Sequence, residues 1–218
     1  MINPCEIMEG DVTFSLGNLK KKEVHYDFSK ILIYLDAKGK ILFGKKFRLH
    51  EEDRETLFKL SIYFIQDKEK CEALGIDPQK GILLNGPVGC GKSSLMKLLK
   101  FIVPHHRPYE VMSTRNIAFA FNHLGFKTIE DYGNSGYFCF DDLGIEPEGR
   151  YNANDCNVMG EILLSRYELF LRHKTKTHVT TNLNSDELED CYGARVRSRM
   201  RHLFNLIAFA PDSRDKRK

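Results

Sequence analysis

The segment Gly86-Pro87-Val88-Gly89-Cys90-Gly91-Lys92-Ser93 constrains this chain more than any other. It fits G-x-x-x-x-G-K-[ST] at every fixed position, follows the apolar run GILLN and opens an amphipathic one, SSLMKLLKFI. A strand, a glycine-rich turn and a helix in that order form a phosphate-cradling loop. The glycines let the backbone turn tightly and aim its N–H groups inward, and the helix adds the positive end of its dipole. Gly86, Pro87, Val88, Gly89, Cys90, Gly91, Lys92, Ser93 and Ser94 are therefore the expected nucleotide-binding residues. Lys92 is expected on the β- and γ-phosphates and the Ser93 hydroxyl on Mg²⁺. Cys90 is expected to fill space rather than act as a redox switch.

Downstream of Gly81, strand-like and helix-like stretches alternate. The strands are expected at Ile82–Asn85, Tyr109–Ser113, Tyr137–Asp141, His178–Asn182 and Asn205–Phe209, and the helices at about 92–102, 114–124, 156–173 and 185–202. Such alternation predicts βαβ units and a parallel five-stranded sheet between helices, so the fold class is α/β. Upstream, Ile31–Leu35 and Ile41–Phe43 flank Ala37-Lys38-Gly39-Lys40, a pattern that predicts a β-hairpin. Residues 51–74 show helical spacing, with Gly75 as the stop. The expected organisation is an N-terminal extension over 1–50 and an ATPase domain over 51–218.

Two acids end the third expected strand, in Phe138-Cys139-Phe140-Asp141-Asp142-Leu143-Gly144. Carboxylates at the carboxyl end of a core strand face the crevice where open α/β sheets bind ligands. Asp141 is expected to hold Mg²⁺ and Asp142 to orient or deprotonate the attacking water. The fourth strand ends in Thr180-Thr181-Asn182-Leu183, and Asn182 is the residue expected to sense the γ-phosphate. In Gly193-Ala194-Arg195-Val196-Arg197-Ser198-Arg199-Met200-Arg201, arginine recurs at every second position. As a helix this segment carries Arg195 and Arg199 on one face and Arg197 and Arg201 nearly opposite, which suits an element that bridges subunits. The loop 145–157, rich in Gly, Asn and Asp, carries no readable chemistry.

The net charge of +3 hides an asymmetry: residues 193–218 hold eight basic residues and two acidic ones, and the remainder is slightly acidic. A basic end on such a body predicts an anionic partner, such as phosphate or nucleic acid. The longest purely apolar runs span five residues, far short of the ~20 a membrane-spanning helix needs. The acidic start lacks the layout of a signal peptide. Six scattered cysteines without a CxxC pair suit free thiols, and the expected location is the cytoplasm.

Together GPVGCGKS, CFDDLG and THVTTNLNSDELEDCYGARVRSRM resemble the AAA+ ATPases of the DnaC/IstB type: replicative-helicase loaders and ATP-binding helpers of transposition. The resemblance covers about residues 74–214. It implies a P-loop AAA+ fold without a sizeable C-terminal lid, and ATP hydrolysis with ATP/ADP and Mg²⁺ as cofactors. Asn182 corresponds to sensor 1 and Arg199 to the arginine finger, with Arg195 the nearby alternative. Arg214 resembles sensor 2. The partners implied are further copies of the chain with nucleotide between subunits, single-stranded DNA, and a replicative helicase or a transposase; no membrane is implied. Asp142 stands where many AAA+ proteins carry glutamate. A P-loop nucleotide kinase is the expectation from another class, but such kinases usually begin with the phosphate loop, and here 85 residues precede it.

Overall fold

The computed structural model describes residues 4–21 and 23–217, and the chain divides into two compact units. One unit comprises the residues up to Ile76 together with Ser94–Pro108; the other comprises Asp77–Ser93 and the residues from Tyr109 onward. The boundary expected at residue 50 thus falls inside the first unit.

The first unit opens with two antiparallel hairpins, β1 (Glu6–Glu9) with β2 (Val12–Ser15) and β3 (Gly17–Lys20) with β4 (Glu23–Tyr26). Leu16 links them: its N–H donates to the Cys5 carbonyl at 2.7 Å, beyond the end of the first hairpin, and its carbonyl accepts the Asp27 N–H at 2.9 Å, beyond the end of the second. Next comes α1 (Phe28–Phe43), whose N-cap Asp27 accepts from the N–H groups of Ser29 and Lys30. The hairpin expected over Ile31–Phe43 is therefore corrected: the N-terminal extension carries hairpins, but at residues 6–26, and 31–43 is helix. Ile31, Tyr34, Leu35 and Gly39 are its buried positions, the 3–4 spacing of one helical face. Gly39 is glycine for packing: a Cβ there would lie 2.0 Å from the Phe47 ring.

The single helix expected over 51–74 is also corrected. A short 3-10 turn (Glu51–Asp53) leads into α2 (Arg54–Phe64), which stops where Gln66 takes a left-handed φ of 58°. Asp67 then caps α3 (Lys68–Ala73) by accepting from the Lys70 N–H. Gly75 does end it: the Gly75 N–H donates to Glu72 and the Ile76 N–H to Cys71, the paired bonds of a glycine C-terminal cap. Helix α4 (Lys92–Leu99) follows the phosphate loop.

The second unit is built on a parallel sheet ordered β11-β5-β10-β7-β6, with β5 (Gly81–Asn85), β6 (Glu110–Ser113), β7 (Phe138–Asp141), β10 (Thr177–Thr181) and β11 (Phe204–Ala208). All five expected strands are present, within a residue or so of their expected bounds. β5 and β10 are buried along nearly their whole length, as parallel strands covered on both faces must be. Helix α5 (Thr114–Leu124) supplies Phe121, α7 (Val158–His173) supplies Met159, Ile162 and Leu163, and α8 (Ser185–Leu203) supplies Met200 to a core shared with Phe140 and Val179; Ile129 of α6 (Phe126–Gly133) packs against it. The loop 145–157 instead carries a small hairpin, β8 (Gly149–Tyr151) with β9 (Asn154–Cys156). Helix α8 breaks at Gly193, where φ is 79° and ψ 158°.

Two buried polar side chains tie the sheet together. Arg166 of α7 is fully buried; it donates to Thr177 Oγ1 at 2.7 Å and to the carbonyls of Ser135, Gly136 and Lys176. His178 of β10 accepts the Ile82 N–H at Nδ1, 3.1 Å away, across the junction of β10 with β5.

Candidate nucleotide site

The phosphate loop leaves β5 at Asn85 and enters α4 at Lys92, the place and shape expected of it. Its path needs glycine at position 89: φ is 81°, and a Cβ would lie 2.2 Å from a carboxylate oxygen of Asp215. Cys90 is buried, as a space filler should be. Lys92 is only 5% exposed, and its ammonium donates to the carbonyls of Gly86 at 2.7 Å and Pro87 at 2.9 Å. Burial lowers its pKa, while the nearby charges of Asp141 and Asp142 act the other way. Among the described residues Lys92 joins no salt bridge. A buried cation resting on carbonyl dipoles suits an anion that arrives from outside, so the loop fits a polyphosphate.

The acidic pair is held from β10. Thr180 Oγ1 donates to Asp141 Oδ1 at 2.6 Å and accepts the Asp142 N–H at 2.9 Å. From α5, Thr114 Oγ1 donates to the Asp142 carbonyl at 2.8 Å. Asp142 adopts a left-handed backbone with φ of 60°, a conformation that costs a non-glycine residue about 1–3 kcal/mol and persists only where neighbours enforce it. The two threonines do so, one on each side of its peptide. Asp141 and the half-buried Ser93 hydroxyl are the oxygen donors that would hold Mg²⁺, the hard cation such ligands suit.

Asp141 and Asp142 thus lie close enough to Lys92 for their charges to act on it. Asn182 is exposed, one residue beyond the end of β10, where the Gly86 N–H donates to the Thr181 carbonyl at 3.3 Å. The register therefore sets Asn182 beside the start of the phosphate loop. Arg199 is elsewhere. It lies in the last turns of α8 before β11, at the amino ends of the strands, with its guanidinium 4.8 Å from the centre of the Tyr167 ring. Of its neighbours, Arg195 and Arg201 are exposed, and Arg197 donates to Ser185 Oγ at 2.9 Å.

Arg214 is exposed in the segment after β11; residues just beyond it touch the loop. The Lys216 N–H donates to the Gly89 carbonyl at 3.0 Å, and the Lys216 ammonium to the Cys90 carbonyl at 2.7 Å. Thr114 and Thr180 touch the acidic pair and Lys216 touches the loop, and none of the three is among the site residues expected from the sequence. For Thr180 a signal existed, since strand alternation puts it on the same face as Asn182. For Lys216 there was only the basic tail.

No family model and no curated protein sequence matches the chain. Solved structures do match. The DnaC helicase loader is similar over 74% of this chain and 92% of its own, at 18% identity and a TM-score of 0.53. DnaI is similar over 75% and 88%, at 22% identity and 0.51. The replication initiator DnaA bound to AMPPCP and single-stranded DNA is similar over 77% and 49%, at 20% identity and 0.50. A five-stranded parallel sheet, a phosphate loop after its β5 strand and these likenesses together give one conclusion: the chain has a DnaC-like AAA+ fold.

Proposed function

We propose that this chain binds and hydrolyses ATP and acts on DNA as a replicative-helicase loader of the DnaC type, in the cytoplasm. The observation that carries the ATPase reading is Asp142, held left-handed by Thr114 and Thr180 beside the buried Lys92. Strain of this kind clusters at functional sites. In the proposed site Lys92 binds the β- and γ-phosphates, Asp141 and Ser93 hold Mg²⁺, and Asn182 senses the γ-phosphate. Asp142 takes the proton of the attacking water. Mg²⁺ would neutralise charge on the phosphate oxygens. Arg199 acts in trans: its place at the amino ends of the strands, away from the loop at their carboxyl ends, supports a role at a neighbouring subunit's nucleotide. The association with single-stranded DNA rests on the basic C-terminal region and on the likeness to the loader and the initiator.

The test is ATP turnover, measured with and without single-stranded DNA, for the wild type and Asp142→Asn. The variant keeps Lys92 and Asp141, so nucleotide with Mg²⁺ should still bind, and turnover should fall by about 10²–10⁴, the worth of a positioned general base. Turnover within a factor of two of wild type removes Asp142 from the chemistry. Phosphate transfer to a nucleoside monophosphate would make the protein a kinase instead.

A further inference from the structure

Beyond β11 the chain turns twice and comes to rest on the phosphate loop. The Ser213 N–H donates to the Ala210 carbonyl at 3.0 Å, and the Arg217 N–H donates to Asp215 Oδ1 at 3.0 Å. These two turns present Lys216 to the loop by backbone and side chain together. Its N–H is fixed to Gly89, its ammonium to the Cys90 carbonyl, and the same ammonium lies 5.1 Å from the centre of the Phe209 ring. Asp215 packs against Gly89, and one of its oxygens is already engaged by the Arg217 N–H.

The arrangement repeats what Lys92 does. Lys92 rests on the carbonyls of Gly86 and Pro87, and Lys216 on that of Cys90, so two lysine ammoniums are parked on one eight-residue loop. Arg217 adds a third positive charge close enough to oppose protonation of Lys92. Like charges gathered on a loop at a helix N-terminus repel one another. A polyphosphate relieves that repulsion, and each ammonium exchanges a neutral carbonyl for a charged oxygen, a stronger hydrogen bond.

We propose that Lys216 is a phosphate ligand of the nucleotide, delivered in cis by the C-terminal segment, with Arg217 reinforcing the field. The proposal rests on the reading of this loop as a nucleotide site. The ligand class is a nucleoside di- or triphosphate; a monophosphate, which carries no phosphate beyond the α position, gains little from Lys216.

Displacement of a fluorescent ADP analogue from the full chain tests this, with ADP and AMP as competitors. The proteins are wild type, Lys216→Ala, Lys216→Arg and Lys92→Ala. Lys216→Ala should weaken ADP binding by about 10- to 100-fold, the worth of a charge-assisted hydrogen bond, and leave AMP binding within about twofold. Lys216→Arg should recover most of the loss. The melting temperature without nucleotide confirms that each variant is folded. Unchanged ADP affinity in Lys216→Ala overturns the proposal, as does equal weakening for ADP and AMP, which marks a structural role. Tighter ADP binding also overturns it and makes the segment an occluding strap. If Lys92→Ala abolishes binding while Lys216→Ala does not, this inference alone fails; if Lys92→Ala binds as wild type does, the nucleotide site itself is wrong.

Discussion

Thr180 does two jobs with one hydroxyl: it gives its proton to Asp141 and receives the N–H of Asp142. Valine has nearly the same shape and can do neither. Thr180→Val should therefore cost about 1 kcal/mol of stability, the order expected for stranding a half-buried N–H. Turnover should fall at least tenfold as both carboxylates lose their support, and Thr180→Ser should keep most of it. Urea unfolding and steady-state turnover check the two effects; wild-type turnover in the valine variant removes Thr180 from the site. At this scale the phosphate loop and acidic pair were legible because their chemistry demands particular residue types at particular spacings. Thr180 is harder to read from the sequence, because a hydroxyl announces itself less than an amide. Its role depends on which strand lies alongside, and Val179 and Phe140 face each other only in the folded sheet.

Among the elements, α8 carries the sharpest prediction. Its Val196, Met200 and Leu203 are buried, so the helix is anchored to the core while Arg195 and Arg201 remain outside. If Arg199 acts in trans, Arg199→Ala should bind nucleotide normally and lose about 10³–10⁵ in turnover, the contribution of an arginine finger. Mixing Arg199→Ala with Lys92→Ala subunits should restore part of the activity, since some interfaces then join an intact loop to an intact arginine. A mixture that assembles by light scattering yet stays inactive ends the trans assignment. The five core strands were legible because buried parallel strands are short apolar runs bounded by turn residues. The terminal hairpins were not. Their strands are four residues long and carry exposed charges, as in Glu6–Glu9. The β8–β9 hairpin hid for another reason: its two-residue turn, Asn152-Ala153, has φ of 50° and 65°, and alanine stands where glycine would have advertised the turn. In α1 the misleading residue was Gly39, a packing glycine that resembles a turn glycine in sequence.

For the whole molecule, His178 sets a pH limit. Burial, helped by the positive charges of Lys176 and Arg166, pushes its pKa down to about 3. In the unfolded chain the same imidazole titrates near 6.5. Between those values the unfolded state binds a proton that the folded state refuses, so the contribution is intact above about pH 6.5. It is lost as pH falls, by at most about 1.4 kcal/mol per pH unit. Urea midpoints at pH 7.5, 6.0 and 5.0 should decline accordingly, and His178→Asn should flatten the decline between 6.5 and 5.0. An equal decline in both proteins assigns it to other groups.

The discontinuity of the first unit bears on how the protein is made. A ribosome delivers the chain from its amino end, and domains begin to fold as they emerge. When Ile76 appears, that unit still lacks Leu95, Leu98, Leu99 and Ile102, all of which are buried in the finished protein. Its core stays open until translation has passed through the phosphate loop and reached Pro108. The amino-terminal hairpins and α1 are therefore no transplantable module: a single cut at residue 76 removes part of the interior they fold around, and the nascent chain must shelter exposed apolar surface for some thirty residues of synthesis.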